Sequence, residues 1–136
     1  MTDVPFEPAL INHVKLSVED GERALIFYEA ALAPLGISLV LKVDPAKTQG
    51  GGNLFGLGSD GYPVIWLSEN GKANTPIHLA FTAVDRKTVD AFHAAAVASG
   101  GGDNGVPGIR DPYHRTYYAA YVHDPDGNNI EVVCQR

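Results

Sequence analysis

Polar and apolar residues alternate along His13-Val14-Lys15-Leu16-Ser17-Val18 and again along His78-Leu79-Ala80-Phe81-Thr82. This two-residue period predicts half-buried strands, with each histidine on the face opposite the large apolar side chains. An aspartate follows each run, Asp20 or Asp85, placed as a helix N-cap. Apolar residues then recur at helical spacing: Ala24, Phe27 and Ala31 in the first case, Val89, Phe92 and Ala96 in the second. Both helices are expected to end near a glycine, Gly36 and Gly100, able to take the left-handed cap conformation. After the first helix, strand-like runs appear near 37–43, 53–57 and 63–68. After the second, Tyr117–Val122 and Asn129–Cys134 read as strands, and residues 102–112, crowded with Gly and Pro, as a short or irregular one.

The two halves repeat one another. Residues 13–36 laid over 78–101 without a gap share seven identities: His13/His78, Asp20/Asp85, Phe27/Phe92, Ala30/Ala95, Ala31/Ala96, Ala33/Ala98 and Gly36/Gly101. Chance supplies about one or two in a stretch of this length. The pattern is βαβββ twice, at an offset that lays Ile65-Trp66-Leu67 over Ile130-Glu131-Val132. Neither half can cover its sheet alone. Residues 1–72 and 73–136 are therefore expected to be modules of a single α+β domain, 1–136.

Composition narrows the partners. Ten Lys and Arg against sixteen Asp and Glu give a net charge of −6, without the basic stripe that nucleic acid demands. No apolar run approaches the ~18 residues of a membrane helix. Met1-Thr2-Asp3-Val4-Pro5 lacks the basic start and apolar run of a secretion signal. The single cysteine, Cys134, fits a reducing compartment, so a cytoplasmic protein is expected. Cys134 alternates to the apolar side with Ile130 and Val132 and reads as a small buried hydrophobe.

Strand alternation also sorts the residues that carry chemistry. His13, Lys15 and Ser17 share one face, His78, Ala80 and Thr82 the equivalent face, and Asn129, Glu131 and Val133 a third. If the modules pack about a pseudo-twofold, His13, His78 and Glu131 can converge. Two imidazoles and a carboxylate suit Fe, Mn, Ni or Zn and leave coordination positions open for a substrate. Lys15 shares the His13 face and is a candidate substrate contact. The segment Tyr113-His114-Arg115-Thr116-Tyr117-Tyr118 is dense in functional groups. There His114 is the candidate for proton transfer, Arg115 or Arg110 for clamping a carboxylate or phosphate, and Tyr113 and Tyr117 for hydrogen bonding to substrate or oxyanion. Two apparent motifs are turns instead. Gly56-Leu57-Gly58-Ser59-Asp60-Gly61 matches GxGxxG but leads into a strand, and Asp124-Pro125-Asp126-Gly127-Asn128 lacks the flanking helices and the position-12 Glu of a calcium loop.

His13–Val18, the Phe27-Tyr28 pair, His78-Leu79-Ala80-Phe81 and the ending Asp124–Glu131 together resemble the vicinal oxygen chelate superfamily. That superfamily groups glyoxalase I, bleomycin-resistance proteins, fosfomycin-resistance transferases and extradiol dioxygenases. The resemblance implies paired βαβββ modules forming a curved, cup-shaped mixed sheet with helices on the convex face, and metal ligands at His13, His78 and Glu131. It also exposes a departure: Trp66 occupies the repeat position where glyoxalase I has its first-module Glu, which argues against true glyoxalase I activity. Two His and one Glu resemble instead the ligand sets of the dioxygenases and fosfomycin-type transferases, and Trp66 offers a flat wall for a planar or aromatic substrate. The expected function is a metal-dependent enzyme, dioxygenase or lyase/transferase in type, acting on vicinal oxygens of a small molecule. A homodimer is expected, and the alternative is a metal-free small-molecule binder of the bleomycin-resistance kind.

Overall fold

The computed structural model describes residues 10–71 and 76–136. The first half runs β1 (Val14–Ser17), α1 (Gly21–Leu32), β2 (Ser38–Val43), β3 (Leu54–Ser59) and β4 (Tyr62–Ser68). The second runs β5 (His78–Thr82), α2 (Arg86–Ala98), β6 (Gly102–Ile109), β7 (Tyr118–His123) and β8 (Asn129–Cys134). The strands hydrogen-bond into two four-stranded sheets, ordered β1-β4-β3-β2 and β5-β8-β7-β6. Both are mixed, because β1 runs parallel to β4 and β5 parallel to β8 while the other pairs are antiparallel. The expected junction at 72/73 lies outside the described residues. No helix among the described residues is long and apolar enough to cross a membrane.

The repeat in sequence is a repeat in register. Val14 pairs with Ile65 and Lys15 with Trp66 in the first sheet; Leu79 pairs with Ile130 and Ala80 with Glu131 in the second. Trp66 and Glu131 therefore stand at the same place in their sheets. The strand expected to be short or irregular within 102–112 spans eight residues. It is irregular, as expected, with register shifts between Asp103 and Gly105 and between Gly105 and Gly108. The glycines allow those breaks, and Gly105 has a φ of 155° that side-chain-bearing residues rarely adopt. The GxGxxG stretch contains the β3–β4 hairpin turn, with Asp60 and Gly61 both at positive φ (54° and 77°), the backbone that a tight two-residue turn requires.

Capping and apolar periodicity make the helices. Asp20 accepts a hydrogen bond from the Arg23 amide at 3.1 Å and Asp85 from the Thr88 amide at 2.8 Å, each contributing about 1 kcal/mol. Ala24, Phe27, Tyr28, Ala31 and Leu32 form the buried stripe of α1, and Val89, Phe92 and Ala96 that of α2. Helix α1 covers the first sheet, α2 the second, and the helices pack against one another. Their stripes join Leu16, Phe55, Leu57, Ile65 and Leu67 to Val122, Ile130, Val132 and Cys134 in one apolar cluster. Each large side chain in it contributes about 1.5–3 kcal/mol. Gly101 lies where the halves press closest: a Cβ there would come within 2.5 Å of Val122 Cγ1 and 2.6 Å of Phe27 Cε1.

One polar contact crosses this core. Asp124, 4% exposed, accepts from the Tyr28 hydroxyl at 2.5 Å, the amides of Asp126 and Asn128, and the Asn128 side chain. Burial, and then the Asp124 charge, push the Tyr28 hydroxyl well above its ordinary pKa, so it remains a donor. The Asp124–Asn128 motif is thus the β7–β8 turn, tied to α1. Tyr28→Phe keeps the ring but takes away one donor of a buried carboxylate. It should cost about 1–3 kcal/mol, measured as a lower urea midpoint at unchanged m-value.

Candidate active site

Helix α2 covers one face of the second sheet and leaves the other to solvent. Cross-strand pairing puts Glu131 beside Ala80 on β5 and beside Tyr121 on β7, all on that open face. Glu131 is nonetheless only 3% exposed, because its neighbours close over it. Its Oε1 is 2.8 Å from His78 Nε2, and its Oε2 accepts from the Tyr117 hydroxyl at 2.5 Å. The His78 side chain is 52% exposed, so the group opens to solvent at the imidazole. Burial, and then the hydrogen bond to Glu131 and its charge, hold the Tyr117 hydroxyl far above the usual tyrosine range. Burial followed by the Glu131 charge raises Tyr121 as well. The Tyr121 ring lies 6.2 Å from that of His78.

The equivalent face of the first sheet is apolar where the second is acidic. Trp66 takes the place of Glu131 and lies across Gly56 of β3, where an added Cβ would come within 2.9 Å of Cζ3 of the indole. Lys15 is its neighbour on β1 and also lines, together with Glu19, Glu69, Ile77 and Asp126, a cavity of about 430 Å³ whose lining includes neither His78 nor Glu131.

The structure brings together His78, Glu131 and Tyr117, and sets Tyr113 beside them, its ring 5.2 Å from that of Tyr117. His13 does not join them. It precedes β1, is exposed, and its Nδ1 is 2.7 Å from the Asn12 side chain. Among the described residues no three His, Cys, Asp or Glu side chains stand close enough to hold a metal ion. Within one chain the described residues do not bring His13 to His78 and Glu131; β1 and β8 belong to different sheets. His114 and Arg115 are exposed in the turn before β7, the His114 ring bonding to Thr116. Tyr118 points the other way, to Asp90 on α2. Tyr121 escaped the sequence reading. The available signal was symmetry, since Tyr121 and Glu131 flank the Asp126 turn at equal distance and so must pair across the hairpin.

The model of the Glyoxalase/Bleomycin resistance protein/Dioxygenase superfamily matches residues 10–132. The chain belongs to this superfamily. A glyoxalase/bleomycin resistance protein from Albidiferax ferrireducens T118 is 31% identical with a TM-score of 0.71, the match covering 94% of this chain and all of that one. Glyoxalase I from Zea mays is 27% identical with a TM-score of 0.68 over 91% of this chain, which spans 45% of the maize protein. A glyoxylase/bleomycin resistance protein/dioxygenase domain from Frankia sp. EAN1pec, 15% identical with a TM-score of 0.72 over 96% of this chain and all of that one, shares the fold.

In this member of the superfamily the two open faces carry different chemistry on one register, an indole on the first and a hydrogen-bonded carboxylate on the second. The indole depends on Gly56, since a methyl there also meets Pro63 Cβ at 2.9 Å. Gly56→Ala should displace Trp66, shift the emission of the chain's single tryptophan, and cost about 1–3 kcal/mol through overpacking. Fluorescence and denaturation of the same sample check both effects.

Proposed function

We infer that this protein is a metal-dependent enzyme of the superfamily that acts on a small molecule presenting two adjacent oxygens, and that it works as a homodimer. The observation that carries the reading is the His78–Glu131–Tyr117 group on an open sheet face. An imidazole nitrogen and a carboxylate oxygen are the donor types that Fe, Mn, Ni or Zn take, and here they already face one another. They fit as two of the three ligands of such a set. The remaining donor, His13, is exposed just before β1 of the other sheet. A second copy can bring its first-sheet face, with His13, Lys15 and Trp66, over this one, and a twofold pair does so twice.

In that arrangement His78, Glu131 and the second copy's His13 would hold the ion, which when bound supplies a Lewis acid for the substrate oxygens. Tyr117 keeps one carboxylate oxygen of Glu131 engaged and so orients the other, as a positioning residue does for a metal ligand. Trp66 forms a planar wall, and its replacement of a carboxylate leaves room for two substrate oxygens. His114, exposed in the turn that also carries Tyr113, is the proton-transfer group of this proposal, with Arg115 beside it.

Calorimetric titration with Mn(II), Fe(II), Ni(II) and Zn(II) tests the reading. Wild type should bind one ion per chain, and His13→Ala, His78→Ala or Glu131→Ala should each weaken binding by at least 100-fold. Mixing unfolded His13→Ala and Glu131→Ala chains and refolding them should restore about a quarter of the wild-type sites, because each mixed pair regenerates one intact site of two. No recovery on mixing would rule out the shared site. No binding by wild type would turn the reading to a metal-free small-molecule binder.

A further inference from the structure

Arg110 sits on the open face of the second sheet, next to the group just described. Its guanidinium carbon lies 5.4 Å from the centroid of the Tyr121 ring, and one of its nitrogens donates to the Val106 carbonyl at 2.5 Å. Two glycines make that position possible. A Cβ on Gly105 would come within 3.2 Å of one terminal nitrogen and a Cβ on Gly108 within 3.1 Å of the other, so the bare β6 backbone lets the guanidinium lie close against it. Among the described residues Arg110 is the only Lys or Arg that is not exposed, and no carboxylate lies within ion-pair distance of it. A half-buried cation without a carboxylate, in a chain of net charge −6, is placed to receive an anion from outside.

We propose that Arg110 is a specificity residue that binds a carboxylate on the substrate, so that the enzyme's substrates are small planar acids rather than neutral molecules. The inference rests on reading the His78–Glu131 face as the substrate site, and it adds the anionic end. Tyr121 stands between the two ends, its ring near His78 on one side and Arg110 on the other. Because Tyr121 neighbours both groups, a flat molecule bound against this face would present its oxygens to the imidazole and its acid group to the guanidinium. The planar fork of arginine matches a carboxylate through two parallel hydrogen bonds. One non-exposed cation matches a monoanion better than a phosphate dianion.

Titrating the metal-treated wild-type protein and Arg110→Gln with benzoate, catechol and 3,4-dihydroxybenzoate, by calorimetry and Trp66 emission, tests this. Wild type should bind 3,4-dihydroxybenzoate at least tenfold more tightly than catechol. Arg110→Gln should lose that preference and its benzoate binding while keeping its catechol affinity, and Arg110→Lys should retain only part of the preference, for want of the fork. Equal wild-type affinity for catechol and its carboxylate, or a preference that survives in Arg110→Gln, overturns the proposal and leaves the metal reading standing. Arg110-dependent benzoate binding without any catechol binding supports the proposal and sinks the metal reading. Binding of none of the three by wild type overturns both. Circular dichroism of each variant confirms that a loss is not one of folding.

Discussion

A single helix per module can cover only one face of a four-stranded sheet, and this limit shapes the rest of the molecule. The covered faces, the helix stripes and the Phe27–Gly101–Val122 contact make one continuous core. The other face of each sheet has no helix to meet. Alternation then hands that face every second side chain of every strand, which is why His78, Tyr121, Lys15 and Trp66 lie on the uncovered faces, with Glu131 enclosed beneath its neighbours. The buried Tyr28–Asp124 bond belongs to the same economy, since it fixes the β7–β8 turn against α1 and thereby the register that sets Tyr121 opposite Glu131.

Duplication supplied two equal frames, and the residues at one matched position made them unequal. Trp66 and Glu131 occupy the same register, each beside the first strand of its sheet. At the second site the carboxylate is enclosed by His78 and Tyr117, so its oxygens are held in fixed directions. At the first the indole lies over a glycine, a flat apolar surface with Lys15 alongside. In the proposed twofold pair, the oriented carboxylate surface and the planar apolar one would form two walls of one pocket.

The glycines of β6 acquire a reason in this setting. Gly105 and Gly108 break the register of the strand and weaken it as a strand. In return they let the Arg110 guanidinium lie against the backbone beside Tyr121. An arginine with an aromatic ring under it and a carbonyl holding one of its nitrogens has lost much of its rotamer freedom before any ligand arrives, and this lowers the ordering cost of binding.

Much of this was legible in the chain itself. The period of two in residues 13–18 and 78–82, the caps Asp20 and Asp85, the 65-residue offset and the superfamily are local or repetitive signals, and each reports on backbone geometry that a few residues determine together. Alternation gave His78 and Glu131 each a polar face, but their contact also needed β5 and β8 to be neighbours in one sheet. What sequence could not decide was whether His13 meets them, because alternation assigns a side chain to a face of its own sheet and says nothing about how two sheets face each other. Only the tertiary structure left His13 exposed ahead of a strand of the other sheet, turned Arg110 rather than Arg115 toward Tyr121, and brought Tyr117 onto Glu131. Those outcomes depend on packing between modules and on the fold of the turn after β6, where contacts distant in sequence compete on nearly equal terms.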